Sequence, residues 1–246
     1  MSKILYFACS DSNIGYRART STQGEELEMV HQFIKRVEFK YRRYKKKNLA
    51  IFIEPQLESG YPDIVLIEYK HINGIHFNTD RLKLSYPDLK IFFEILQYNS
   101  ITLEHLQQVL GYEQNQIKKT IHLLSNCNLV KISPTGRCVR KRALKSFFEI
   151  KKIISIEAKI NKWHDVIDQS YTNQWFSSET YVLLKKYSNV QCVKDCEEKG
   201  MGVIIADADK FKKLNDSSKR KLPVSYVSLL FNEWIIRKTV LGDQGE

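Results

Sequence analysis

Two stretches of this chain gather side chains that can do chemistry. In Ile153-Ile154-Ser155-Ile156-Glu157-Ala158-Lys159-Ile160, the apolar Ile154, Ile156, Ala158 and Ile160 alternate with Ser155, Glu157 and Lys159. Successive strand side chains point to opposite faces, so an apolar row turned to a core leaves a carboxylate and an amine together on the other face. In Tyr61-Pro62-Asp63-Ile64-Val65-Leu66-Ile67 an aspartate opens a run of branched residues. Carboxylates are ligands for hard divalent cations, and a neighbouring lysine can hydrogen-bond an attacking water or neutralise an anionic transition state. Taken singly, an aspartate after proline is a turn or cap residue, and a Glu-x-Lys on a strand is a solvated pair. Glu68-Tyr69-Lys70 is a rival Glu-x-Lys. In a continuous strand Asp63 shares its face with Val65, Ile67 and Tyr69, so Glu68 and Lys70 fall on the other side, and Glu157 and Lys159 are the preferred partners. The sequence holds no Walker-type glycine loop, no GxSxG and no HExxH, and its histidines are scattered without metal spacing.

These residues need elements to hold them. Leu27, Val30, Ile34 and Val37 recur at helical spacing and predict a helix over Glu25 to Phe39, capped by Ser21 or Thr22, which carries Glu26. Leu49 to Ile53 reads as a strand, a turn follows at Glu58-Ser59-Gly60, and Tyr61 to Lys70 is the next strand. Asn73-Gly74 signals a hairpin with Ile75 to Phe77 returning. From Pro87 the period becomes helical. Helices are expected over Asp88 to Tyr98, from Ile101-Thr102 to Gly111, and over Tyr112 to Ser125, followed by a strand at Leu129 to Ser133, a Pro134-Thr135-Gly136 turn and a return at Arg137 to Arg140. After the Glu157 strand come Asn161 as a cap, a helix bearing Trp163, Val166, Ile167 and Gln169, and a strand over Thr180 to Leu184. A last helix is expected from Leu222 to Leu241, beyond Pro223, with Val227, Leu230, Phe231, Trp234 and Ile235 as a packing stripe.

Residues 85–146, three short helices and a basic hairpin, resemble a winged helix-turn-helix. That resemblance implies a third helix whose Gln114, Gln116, Lys118 and Lys119 enter the major groove. It also implies a wing whose Arg137, Arg140, Lys141 and Arg142 meet phosphates or a minor groove.

The ordered set Glu26, Pro62-Asp63 and Glu157-Ala158-Lys159 resembles the PD-(D/E)xK, or restriction-endonuclease-like, nuclease superfamily. Trp163 and Gln169 after the lysine, and Gly200-Met201-Gly202-Val203-Ile204-Ile205 as a late strand, extend the likeness over residues 20–80 and 147–206. It implies an α/β fold, a mixed sheet flanked by helices, with the α+β winged helix inserted. The nuclease-like core then spans 1–84 and 147–246, and the insertion spans 85–146. Asp63, Glu157 and Glu26 would hold Mg²⁺, or Mn²⁺ as the alternative, with Glu26 binding directly or through water and Ile156 or Ala158 lending a carbonyl. Lys159 would serve the attacking water, and Gln169 would touch the phosphate or that water. The implied activity is metal-dependent endonucleolytic hydrolysis of double-stranded DNA, suited to restriction, mobile-element or anti-phage defence. The competing readings are a non-catalytic DNA-binding protein on a nuclease-like scaffold, and a subunit active only within a larger transposition or defence assembly. One active site cuts one strand, so duplex cleavage calls for a homodimer or a partner protein.

Charge and composition fit a polyanion-binding role. The 246 residues carry 39 Lys and Arg against 28 Asp and Glu, a net charge of +11. The excess is clustered at Lys35 to Lys47, including Lys45 and Lys46 and, as further DNA contacts, Arg42 and Arg43, at Lys131 to Lys145, and at Lys210 to Lys221. Apolar residues make up 43%, which excludes a disordered basic tail. Five cysteines without a CxxC pair argue against a disulfide scaffold and a zinc ribbon. No run reaches the roughly 20 apolar residues of a membrane span, and the start is too short in apolar residues for a secretory signal, so a soluble cytoplasmic protein is expected.

Overall fold

A computed structural model describes residues 3–19, 23–43, 47–72, 78–161, 163–185, 190–207, 210–222 and 225–242. The caps Ser21 and Thr22, Lys45 and Lys46, the Asn73-Gly74 turn with its return strand Ile75 to Phe77, and Pro223 lie outside the described residues. In chain order the elements are β1 (Ile4–Phe7), α1 (Glu25–Arg43), β2 (Asn48–Ile53), β3 (Ile64–Tyr69), α2 (Tyr86–Gln97), β4 (Ser100–Ile101), α3 (Leu103–Leu110), α4 (Gln114–Asn126), β5 (Val130–Ile132) and β6 (Cys138–Arg140). They continue with β7 (Ile150–Lys159), α5 (Trp163–Thr172), β8 (Glu179–Leu184), α6 (Val190–Glu198), β9 (Gly202–Asp207), β10 (Lys210–Asn215) and α7 (Tyr226–Gly242). The chain divides into two compact units, residues 1–71 with 150–224, and residues 72–149 with 225–246.

The first unit is α/β, with a mixed seven-stranded sheet in the order β1-β2-β3-β7-β8-β9-β10. β1 and β2 are parallel, β3 runs antiparallel to both β2 and β7, β7, β8 and β9 are mutually parallel, and β10 returns antiparallel to β9. Helix α1 has acidic residues in its first turn and Lys40, Arg42 and Arg43 in its last, which suits the helix dipole. Its Met29, Val30, Phe33 and Ile34 bury against Ile64, Leu66, Ile156, Ala158 and Leu183 on one sheet face. On the other face Val166 and Ile167 of α5 and Cys192 and Cys196 of α6 pack with Val182, Leu184, Val203 and Ile205. Burying each large aliphatic side chain contributes about 1.5–3 kcal/mol, so both helix layers are firmly seated. Gly202 opens β9 where a Cβ would lie 2.3 Å from the Tyr181 ring, so only glycine allows that approach.

In the second unit, α2 begins with a reciprocal cap between Ser85 and Asp88. α3 ends at Gly111, whose φ of 68° is the left-handed conformation that glycine adopts at no steric cost. Ile117, Ile121 and Leu124 of α4 are buried, and a three-stranded sheet of order β4-β6-β5 completes the run. The final helix corrects the expected boundaries. α7 groups with residues 72–149 and not with the sheet unit. It is buried on nearly every face, and its buried polar residues find their partners in this unit. Asn232 accepts from the Glu149 N–H at 2.7 Å, Glu233 accepts from Arg81 Nε at 2.7 Å, and Arg237 donates to the Leu84 carbonyl at 2.8 Å. Buried polar groups left unpaired are costly, so these partners decide where the helix docks.

Candidate active site

The β3–β7 register assembles the site. Ile64 pairs with Ile156, so Asp63, just before β3, falls beside Glu157, and both lie on the face opposite α1. The Asp63 Oδ2 accepts the Ala158 backbone N–H at 2.7 Å, fixing the aspartate against β7. Glu157 is only 5% exposed and accepts a hydrogen bond from the Asn173 side chain. The two carboxyl groups are near enough for the charge on Asp63 to act on Glu157. Burial first, and the Asp63 charge second, hold the Glu157 carboxyl well above the ordinary glutamate range. Burial also raises Asp63, while the Ala158 N–H and the neighbouring Glu157 act the other way. Burial and the neighbouring Asp63 charge therefore favour the protonated form of Glu157, as expected where one of two close carboxylates is buried.

Lys159 lies on the same strand face as Glu157, at the end of β7, and its Nζ donates to Glu26 Oε1 at 3.3 Å. Glu26 is thereby turned to the lysine. Among the described residues no group of three or more His, Cys, Asp or Glu is arranged to hold a metal ion. The expected three-carboxylate set of Asp63, Glu157 and Glu26 is therefore not assembled, because Glu26 satisfies the amine. What remains is the buried Glu157 beside the half-buried Asp63, and hard oxygen donors of this kind suit Mg²⁺ or Mn²⁺.

Gln169 is not brought to the pair. It lies on the exposed face of α5, and one turn later Asn173 is the residue that reaches Glu157. The Asn173 carbonyl accepts from Ser177 Oγ at 2.9 Å, and Ser177 in turn bonds Thr180 and Ser155 beneath the site. An asparagine just beyond a helix reads as a terminator, so no local pattern marks it. The rival Glu-x-Lys is engaged elsewhere: Glu68 faces α1, accepting from Tyr41 Oη at 2.5 Å and from Lys47 at 3.1 Å. Beside Asp63 and Glu26 a cleft of about 300 Å³ opens, lined also by Arg19, Glu25, Glu54 and Ile160.

The expected DNA contacts divide. Gln114, Lys118 and Lys119 are exposed and Gln116 half-buried along α4, opposite its buried face. On the hairpin the guanidinium groups are partly occupied within their own unit. Arg137 donates to Ser100 Oγ at 2.6 Å, and Arg140 to Asn99 Oδ1 at 2.7 Å and to the Leu96 carbonyl. Lys141 bonds Asn128, and Arg142 lies 4.9 Å from the Phe147 ring centroid. On α1, Arg42 pairs with Glu38 and Arg43 sits 5.8 Å from the Phe39 ring centroid. Such surface pairs are weak and exchange readily for phosphate.

Comparison with protein-family models, with curated proteins and with solved structures finds no match to this chain. No helix among the described residues is long and apolar enough to cross a membrane. The site is therefore read from its own geometry.

Proposed function

We propose that the sheet unit is a metal-dependent phosphodiesterase of the restriction-endonuclease-like type that cleaves double-stranded DNA, and that the second unit contains a winged helix-turn-helix that reads DNA. The observation that carries this reading is that the half-buried Asp63, just before β3, and the buried Glu157 of β7 stand close together, with Lys159 on the same strand face as Glu157. A structural role alone would not call for a buried Glu157, which costs several kcal/mol to desolvate, beside a second carboxylate.

Asp63 and Glu157 would hold the divalent cation, with the carbonyl of Ile156 or Ala158 as a further oxygen donor. Bound there, it would offset the charge that develops on the phosphate oxygens and on the departing 3′ oxygen. Asn173 fixes the Glu157 carboxylate so that one oxygen stays turned to Asp63. Lys159 hydrogen-bonds the attacking water and holds it in line with the phosphorus, and its contact with Glu26 gives that carboxylate a place to receive the water's proton. The exposed polar face of α4 and the basic hairpin would position the duplex.

The test uses supercoiled plasmid with Mg²⁺ or EDTA. Wild type should nick it only with the cation. Asp63→Asn and Lys159→Ala should each reduce nicking by at least about a hundredfold, the scale of losing one electrostatic group in a preorganised site, while a gel shift in EDTA persists. Retained cutting by both variants refutes the assignment. A second reading, a non-catalytic DNA-binding protein on this scaffold, draws on the pairing of Glu26 with Lys159 and the missing third carboxylate. It predicts a salt-sensitive gel shift with no cleavage.

A further inference from the structure

The cleft beside Asp63 holds two residues that the chemistry above does not use, Arg19 and Glu54. Glu54 follows β2 with φ of 45°, a left-handed conformation that a glutamate adopts only under constraint. Its backbone is held on both sides. The Glu54 N–H donates to the Asp63 carbonyl at 3.1 Å, and its own carbonyl accepts from the Arg19 N–H at 3.0 Å. Its side chain is 6% exposed; Oε1 accepts from the Arg19 guanidinium, while Oε2 is buried with no hydrogen-bond partner among the described residues.

A buried carboxylate accounts for a cation beside it. It does not account for where that cation sits. The Arg19 side chain is 51% exposed at the cleft and lies 5.7 Å from the ring centroid of Tyr61, itself 40% exposed. A guanidinium carries five N–H donors in a fixed fork, and Glu54 takes one of them. The other charged residues lining this cleft, Glu25, Glu26, Glu54 and Asp63, are all carboxylates. Lys185 answers Glu25 at 2.5 Å and Lys159 answers Glu26 at 3.3 Å, so both lysines are engaged. A phosphodiester approaching Asp63 thus meets an acidic wall with one planar cation set into it. Planar forks bind phosphate oxygens in pairs, and an aromatic ring alongside offers a stacking face to a base or sugar.

We propose that Arg19, braced by Glu54 and Tyr61, is a phosphate-binding residue of this cleft that grips the backbone of a nucleic-acid strand laid past Asp63 and Glu26. The proposal rests on reading the cleft as a nuclease site. Glu54 then acts as a positioning residue: its strained, doubly tethered backbone holds Arg19 at the rim, and its carboxylate aims the guanidinium.

The test uses the full chain with Arg19→Ala, Arg19→Lys and Glu54→Gln. It compares Mg²⁺-dependent plasmid nicking, affinity for a duplex oligonucleotide in EDTA across a salt series, and melting temperature. Arg19→Ala should slow nicking about ten- to hundredfold, the range of a charge-assisted hydrogen bond. It should also lower the slope of log affinity on log salt by about one. Arg19→Lys keeps a charge opposite Glu54 without the fork, so it should restore the melting temperature and not the nicking rate. Glu54→Gln should keep the salt slope and slow nicking by misaiming the guanidinium. If Arg19→Lys restores both properties, or Arg19→Ala leaves nicking and salt slope at wild-type values, Arg19 is only the counter-ion of Glu54 and the proposal falls. A wild type that binds without nicking removes the hydrolase reading and leaves the salt slope to decide the phosphate contact. A wild type that does neither overturns both.

Discussion

Glu157→Gln isolates the proton held by Glu157. Glu157 is 5% exposed, faces Asp63 and accepts from Asn173. In the metal-free folded state its carboxyl sits well above the ordinary value of 4.5, through burial first and the Asp63 charge second. In the unfolded chain it returns to that ordinary value. Between the two, the folded state therefore binds about one proton more than the unfolded state. Stability is greatest below the ordinary glutamate value and is lost as pH rises toward the raised one. For one proton the loss is about 1.4 kcal/mol per pH unit. Glutamine has no proton to release, still offers an oxygen to Asn173 and can donate an N–H to Asp63. The variant should lose the Glu157 dependence, and titrating groups other than its coupled neighbour Asp63 cancel in the difference between the two proteins. Urea titrations in EDTA between pH 5 and 8, followed by the fluorescence of Trp163 and Trp175 in the sheet unit, measure the difference directly. Wild type should weaken relative to Glu157→Gln by about 1.4 kcal/mol for each pH unit inside the window. Mg²⁺ at a hundred times its dissociation constant should return about 2.7 kcal/mol to wild type and little to the variant. Parallel pH profiles in EDTA would refute the raised Glu157 carboxyl, and equal stabilisation of both proteins by Mg²⁺ would refute Glu157 as a ligand.

Two further outcomes follow from the same geometry. Asn173→Ala leaves the buried Glu157 oxygen without its donor. It should cost about 1–3 kcal/mol in urea titrations and slow Mg²⁺-dependent nicking by misaligning Glu157. Gly202→Ala drives a Cβ to within 2.3 Å of the Tyr181 ring and 2.9 Å of the Ser217 nitrogen. The overpacking should lower stability by about 1–3 kcal/mol, which circular-dichroism melting will register.

Much of the element plan was legible because it is local. The alternation through Ile153 to Ile160 correctly sorted Glu157 and Lys159 from the isoleucines that face α1. The argument that Glu68 cannot join Asp63 holds, since Glu68 faces Tyr41 on the other side of the sheet. The failures are equally physical. The last helix read as a stripe on the sheet unit, yet Asn232, Glu233 and Arg237 pair with residues 81–149 of the other unit. Gln169 lay at an expected spacing, but its face of α5 is exposed, and the chain turns inward only after α5 ends, where Asn173 reaches Glu157. Glu54 and Arg19 carried no pattern at all, because a left-handed glutamate and its cross-chain partner have no local signature.

Sequence alone determined which side chains share a strand or helix face, since that follows from periods of two and 3.6 residues acting between near neighbours. Tertiary structure decided which faces meet. The bond from Ala158 to Asp63 spans 95 positions, and Lys159 reaches Glu26 across 133. Pairings that distant depend on strand register and on the packing of α1 and α5, and only the folded sheet brings two separate carboxylates side by side.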